Sequence, residues 1–197
     1  MKHVSILVPK GNAILSSVVG PYKILSAANR FLQKAGVRND NFFDIHLVGL
    51  DGDQSLYNGL FSIHCDKTID EVNKTDLILI PALRTDKLME DLKQNEPFVD
   101  WIMNQRNRNN ADVASMCLGA FVLARTGLVD RKQCSTHWAA MELFKRMYPQ
   151  VNLVSNKIVT EEDGIYTSGG AYSFLNLMIH LIEKFCGREA AIYISKY

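Results

Sequence analysis

Short apolar runs alternate with longer amphipathic stretches along most of this chain. Runs of this kind, bounded by turn pairs such as Asp51-Gly52 and Asn58-Gly59, are typical of β-strands. They predict strands at residues 4–8, 42–50, 60–63, 77–80 and 111–116. The run at 77–80 is apolar at every position, which predicts a strand covered on both faces of its sheet.

The stretches between these runs have the spacing of three and four residues that is typical of helices. Gly20-Pro21 is expected to open a helix that runs to about Gly36, with Leu25 and Leu32 on its apolar face. Further helices are predicted at residues 97–105, 118–124, 138–148 and 173–185, with a hairpin-like segment at 151–167. The alternation predicts an α/β fold in one domain over residues 1–197, with a mostly parallel sheet and helices on both faces.

The composition is that of an ordinary globular chain, and it argues against several other classes of protein. Of 197 residues, 47% are hydrophobic and 22% are charged, and a net charge of +1 gives no electrostatic reason for nucleic-acid or membrane binding. No apolar run approaches the roughly 20 residues of a membrane span, and the apolar start before Pro9 is too short for a signal peptide. We therefore expect a cytoplasmic protein.

The four cysteines are Cys65, Cys117, Cys134 and Cys186, and they lie too far apart in sequence for zinc-binding or redox-pair motifs. Glycine motifs for phosphate or dinucleotide binding are absent as well, so neither a metal nor a cofactor is expected. Cys65, Cys134 and Cys186 are expected to be buried thiols. Cys117 stands in a different context.

Cys117 follows an apolar strand directly and precedes a helical pattern, with the small residues Ser115 and Gly119 two positions to either side. This is the pattern of a nucleophile elbow, which points a side chain out at the carboxyl end of a sheet and brings a sulfur close to helix N–H groups. A small buried cysteine at an ordinary strand–helix junction is the competing interpretation. The local pattern is too short to separate the two.

Two further segments are candidates for the same site. His137 is the best placed of the five histidines to act as a base toward Cys117. An equally good interpretation is that His137 starts a helix and is hydrogen-bonded to the backbone. His180, in contrast, is expected in the core. The Thr-Ser-Gly-Gly segment at 167–170 precedes the last predicted helix, where glycines either let the backbone approach an anionic ligand group or simply form a turn.

Several segments together resemble the ThiJ/PfpI superfamily of class I glutamine amidotransferase-like proteins. They are Ser-Met-Cys-Leu-Gly-Ala-Phe at 115–121, Thr-His-Trp at 136–138, Thr-Ser-Gly-Gly at 167–170, and Gly20-Pro21 in the first helix. The closest resemblance is to the amidase-like N-terminal domain of AraC-type transcriptional regulators, and it extends over essentially the whole chain. It implies a flavodoxin-like three-layer sandwich with a nucleophile elbow.

The sequence departs from the catalytic members of that superfamily at three places. Those members have an acid near the start of the first helix. The regulator-like domains commonly have an aspartate just before the Gly-Pro pair, and alignment on Gly20-Pro21 gives Ser17 at that position here. Leu118 follows the cysteine in place of the histidine of protease-like members. The His-x-Glu pattern of amidotransferases is missing after position 137.

These departures favour a non-catalytic domain that senses a small metabolite and forms a homodimer, as the resemblance to AraC-type regulators implies. DNA binding would then belong to a helix-turn-helix region that this chain does not contain. The expected ligand pocket contains Cys117 and His137 together with Ser17, Leu118, Gly119, Trp138, Ser168, Gly169 and Gly170.

Two alternatives stay open. A cysteine-dependent amidase, peptidase or glyoxalase-like enzyme would use Cys117 as nucleophile, His137 as proton relay and the backbone N–H groups after the cysteine as an oxyanion hole. A carboxylate from elsewhere, such as Asp44 or Glu142, would then orient the histidine. A redox sensor would instead oxidise Cys117 reversibly to a sulfenic or sulfinic acid.

Overall fold

In the computed structural model, which describes residues 1–11, 13–84, 86–170 and 172–196, the strands form one large sheet and two small ones. The strands are β1 (Lys2–Leu7), β2 (Phe43–Gly49), β3 (Gln54–Leu56), β4 (Phe61–Ile63), β5 (Lys67–Thr68), β6 (Leu77–Ile80), β7 (Asp112–Met116), β8 (Gln133–Cys134), β9 (Asn152–Leu153), β10 (Val159–Glu162) and β11 (Ile165–Ser168). The large sheet has the order β10-β11-β7-β6-β1-β2-β5, and every neighbouring pair in it is parallel except β10–β11.

Helices cover both faces of this sheet. They are α1 (Ser16–Lys34), α2 (Leu88–Gln94), α3 (Glu96–Asn109), α4 (Gly119–Arg125), α5 (Met141–Met147), α6 (Phe174–Cys186) and α7 (Arg188–Ser195), with 3₁₀ turns at Ile69–Glu71 and Trp138–Ala140. One core contains apolar residues of α2 to α5, and the other contains those of α1, α6 and α7. The fold is therefore a flavodoxin-like α/β sandwich, as the sequence predicts.

Strand β6 confirms the prediction of a strand covered on both faces. Ile78 and Ile80 belong to the core under α2 to α5, whereas Leu77 and Leu79 belong to the core under α1, α6 and α7. Side chains alternate between the two faces of a strand, so each apolar position meets a helical layer.

The prediction that Gly20-Pro21 opens the first helix is wrong, because α1 begins at Ser16. Pro21 lies inside the helix, where it lacks the N–H that would bond to the carbonyl of Ser17. Packing explains why position 20 is a glycine, because a Cβ there would lie 2.6 Å from Cε2 of Phe174 in α6. The glycine therefore lets α1 and α6 approach closely.

Other predicted boundaries need correction as well. The run at 60–63 contributes β4 to a separate two-stranded sheet with β3. Within 151–167, only β10 and β11 form an antiparallel hairpin, since β9 pairs in parallel with β8. The sequence patterns did not indicate α2, α7, β3, β5 or β8.

Two side chains lie elsewhere than predicted. His180 is not in the core: its side chain is 39% exposed, and its Nε2 lies 2.5 Å from Oε2 of Glu161. Cys186 is only half-buried, whereas Cys65 and Cys134 are buried as expected, and all these thiols are free. Among the residues that the structure describes, no helix is both long and apolar enough to cross a bilayer.

Candidate functional site

Cys117 occupies a strained turn between β7 and α4. Its φ of 53° lies in the left-handed region that residues with a side chain rarely adopt. Two hydrogen bonds hold the turn: Cys117 N donates to the Ser168 carbonyl at 2.7 Å, and Thr136 Oγ1 donates to the Cys117 carbonyl at 3.0 Å. The elbow inferred from the sequence is therefore present.

Gly119 is required by the close approach of α4 to the end of β6. A Cβ at this position would lie 2.5 Å from the Pro81 carbonyl oxygen and 2.8 Å from that of Ile80. Both are backbone atoms, which cannot rotate away as a side chain can. Gly119 therefore shapes the elbow through packing.

A cavity of about 300 Å³ opens beside the cysteine. Described residues that line it are Cys117, Leu118, His137, Ile14, Ala82, Leu83, Arg84 and Asp86. We call this cavity the Cys117 pocket.

Burial raises the pKa of the Cys117 thiol to about 11, and only a hydrogen bond from the Leu118 backbone opposes that effect. The sulfur is consequently a neutral thiol near pH 7.

His137 lines the Cys117 pocket, but no hydrogen bond between its ring and Cys117 is found in the described part of the chain. Its Nδ1 accepts a hydrogen bond from Ala139 N at 3.3 Å, at the start of the 3₁₀ turn Trp138–Ala140. The neutral ring then carries its proton on Nε2. In this tautomer His137 caps a helical turn, and it is not poised to take a proton from the sulfur.

Ser17 has a structural role behind the wall of this pocket. It is 1% exposed, its Oγ donates to the Ile14 carbonyl at 2.7 Å, and it accepts from Ala82 N at 2.9 Å. Ile14 and Ala82 are pocket-lining residues, so the hydroxyl fixes that wall. An ionised carboxylate in its place would have no proton to donate to the Ile14 carbonyl.

Neither of the two carboxylates suggested for orienting His137 lies in a position to do so. Asp44 lies near the amino end of β2, at the opposite edge of the parallel strands from Cys117, where it bonds to His3 and His46. The side chain of Glu142 is 85% exposed and pairs with Lys145. The interpretation that either one orients His137 is therefore wrong.

The sequence reasoning missed two charged residues of the Cys117 pocket. Arg84 and Asp86 follow β6 and form a two-point ion pair, with Nε–Oδ1 at 3.2 Å and Nη2–Oδ2 at 3.3 Å. Their side chains are 40% and 51% exposed. Loops after the carboxyl ends of parallel strands are where α/β sheets bind ligands, so their position after the run at 77–80 was the available signal.

The remaining predicted site residues lie apart from the Cys117 pocket. Trp138, Gly169 and Gly170 line a second cavity of about 480 Å³, which we call the Trp138 groove. Ser168 is fully buried and contributes its carbonyl to the Cys117 turn. The segment 135–138 separates the two cavities, with His137 on one side and Trp138 on the other.

Comparison with known proteins identifies the family of this chain. The model of the DJ-1/PfpI family matches residues 3–184. This chain belongs to the DJ-1/PfpI family. Among its relatives are HTH-type transcriptional regulators, which agrees with the resemblance found in the sequence. Within the described residues, no group of three His, Cys, Asp or Glu side chains of this DJ-1/PfpI chain is arranged to hold a metal ion.

Two relatives with different named functions are similar to this chain. The HTH-type transcriptional regulator CdhR of Pseudomonas aeruginosa is 27% identical over 181 residues, which cover 91% of this chain and 49% of CdhR. Isonitrile hydratase of Pseudomonas putida is 29% identical over 126 residues, covering 63% of this chain and 51% of the enzyme. The chain thus spans about half the length of these relatives.

A solved structure shows the same fold. The crystal structure of an AraC family transcriptional regulator from Pseudomonas putida superposes with a TM-score of 0.79 at 18% identity, covering 100% of this chain and 98% of that one.

Proposed function

We propose that this chain is the ligand-sensing and dimerisation domain of an AraC-type transcriptional regulator. A small metabolite binds in the Cys117 pocket without being chemically changed. Its binding biases the arrangement of two copies of the domain, and a helix-turn-helix region outside this chain contacts DNA. The relationship to CdhR supports this proposal.

The observation that carries the non-catalytic part is the arrangement of side chains around the buried cysteine. Burial raises the thiol pKa to about 11, the His137 ring is bonded to the backbone, and Ser17 uses its hydroxyl in the pocket wall. A thiolate nucleophile needs a lowered pKa or an adjacent base. The pocket keeps the shape of a nucleophile site while lacking that activation.

The experiment is a thermal-shift screen of small metabolites combined with NMR of each hit after long incubation. A ligand at one hundred times its Kd stabilises a protein by about 2.7 kcal/mol, which corresponds to a rise in Tm of roughly 5–10 °C for a chain of this size. We expect at least one such hit, a reduced shift with Leu83→Ala, and no change in the NMR spectrum of the ligand.

The competing function is a cysteine-dependent reaction, and the isonitrile hydratase relative is the specific reason to test it. Amide, 2-oxoaldehyde and isonitrile substrates should therefore be incubated with the wild type and with Cys117→Ser. Turnover that disappears in Cys117→Ser would replace the sensing proposal by an enzymatic one. Unchanged substrates with both proteins support the sensing domain.

A further inference from the structure

The Trp138 groove is a cavity of its own and not an extension of the Cys117 pocket. The two cavities share none of the described residues that line them. The wall between them is held from both sides, because Thr136 Oγ1 bonds to the Cys117 carbonyl at 3.0 Å and Ser135 N bonds to Thr167 Oγ1 at 2.7 Å. A molecule in the groove would therefore meet a preformed surface.

The floor of the groove depends on a glycine. A Cβ at Gly169 would lie 2.5 Å from Ser135 Oγ and 2.8 Å from the Thr136 carbonyl oxygen. Without a side chain, the backbone at 169–170 packs directly against the wall and leaves the cavity open above it. The shape of the groove is thus built into the fold.

Three large apolar side chains border this one cavity and stay in solvent. Trp138 and Tyr172 are each 77% exposed, and Ile158 is 60% exposed. Isolated exposed apolar residues are common, but a group of them around a cavity marks a binding surface. The indole of Trp138 rests against the ring of His137, with centroids 5.6 Å apart, so it is positioned although it is exposed.

The charged and polar residues that line the groove indicate which class of ligand it binds. The described lining contains one charged side chain, Lys157, and no carboxylate. Its Nζ donates to Gln133 Oε1 at 2.7 Å, and an ammonium group has two donors beyond that bond. Asn156 and Asn176 add amide groups at the same cavity.

We propose that the Trp138 groove is a second ligand site, which binds an aromatic carboxylate. The ring of the ligand packs on Trp138 and Tyr172, and its carboxylate binds the Lys157 ammonium. This site goes beyond the proposed metabolite site at Cys117 and does not depend on it. A ligand here would contact the segment that also carries His137, so the two sites share a wall.

The tryptophan content supplies a direct assay. The chain has two tryptophans, and Trp101 is 8% exposed while Trp138 is 77% exposed. A spectrum of ¹⁵N-labelled full chain therefore contains two indole N–H signals, which Trp138→Phe assigns. Benzoate is titrated against the Trp138 signal, with benzamide as the uncharged aromatic control and cyclohexanecarboxylate as the non-aromatic carboxylate control.

We expect benzoate to shift the Trp138 signal saturably and to bind more tightly than either control. Tyr172→Ala should weaken benzoate binding about twofold to tenfold, the range expected for one aromatic contact. Lys157→Met should weaken it about tenfold, as expected for a charge-assisted hydrogen bond at an exposed site. Leu60→Ala, at an exposed turn residue outside the groove, should leave it unchanged.

Four results would overturn the proposal. Benzoate could leave the Trp138 signal unmoved up to solubility, or cyclohexanecarboxylate could bind as tightly as benzoate. The affinity could also fall with Arg84→Gln and not with Lys157→Met, which would assign benzoate to the Cys117 pocket. Finally, a Trp138 signal that shifts with protein concentration alone would identify the exposed rim as a contact between two copies of the chain.

Discussion

Replacing Gly119 by alanine tests whether the elbow depends on the contact between α4 and β6. The new Cβ would lie 2.5 Å from the Pro81 carbonyl oxygen, whereas ordinary contact begins at 3.4 Å. Overpacking of a buried site costs about 1–3 kcal/mol, and the better helix propensity of alanine returns at most about 1 kcal/mol. We expect Gly119→Ala to lower the free energy of unfolding by about 1–2 kcal/mol.

The assay is thermal unfolding, compared with Gly52→Ala as the matched control. A Cβ at Gly52 meets no atom within 4 Å, so this second glycine-to-alanine change should be neutral or slightly stabilising. For a chain of this length, 1 kcal/mol corresponds to about 2–4 °C in Tm. Gly119→Ala should therefore lower the Tm by roughly 2–8 °C. Equal Tm values for the two variants would refute the argument that Gly119 is needed for close packing.

Three further outcomes follow from individual contacts. Ser17→Ala leaves the buried Ala82 N–H without its acceptor, so urea unfolding should show a loss of about 1–3 kcal/mol. Glu161→Gln should cost less than about 1 kcal/mol at pH 7. The hydrogen bond from Lys184 lowers the pKa of Glu161, so this stabilisation exists above the usual glutamate pKa of about 4.3 and disappears as the pH falls through the lowered value. Wild type and Glu161→Gln should therefore converge in acid. Brief peroxide treatment should add no oxygen to Cys117 by intact mass, since its thiol is protonated; addition there would support a redox sensor.

The elements that the sequence predicted well are those whose pattern reflects full burial. The run Leu77–Ile80 is a central strand, and the apolar stretch at 173–185 agrees with α6 (Phe174–Cys186). The patterns failed where a contact distant in sequence decides the structure. Gly20 is explained by Phe174, a residue of another helix, and no local rule distinguishes that packing from a helix start.

The sequence predicted Cys117, Leu118 and His137 of the candidate site, but it predicted neither the other residues that line the cavity nor the spatial arrangement. The sequence pattern identified the elbow at Cys117, and His137 lines the same cavity. Trp138 and Gly169 were expected there too, yet the wall at 135–138 places them on another cavity. Which cavity a residue of this segment lines depends on the distant segments packed around it, and the local sequence pattern does not contain that information.

The pH dependence of Cys117 alkylation tests the central claim, that the cysteine lies in a binding pocket without catalytic activation. Iodoacetamide labelling is followed at each pH by mass spectrometry of the peptide that contains Cys117. Because burial raises the thiol pKa to about 11, we expect slow labelling at pH 7 and a rate that still increases at about pH 10. A rate that reaches its plateau below about pH 8 in the wild type, and loses that plateau in His137→Ala, would establish an activated cysteine–histidine pair and contradict the account.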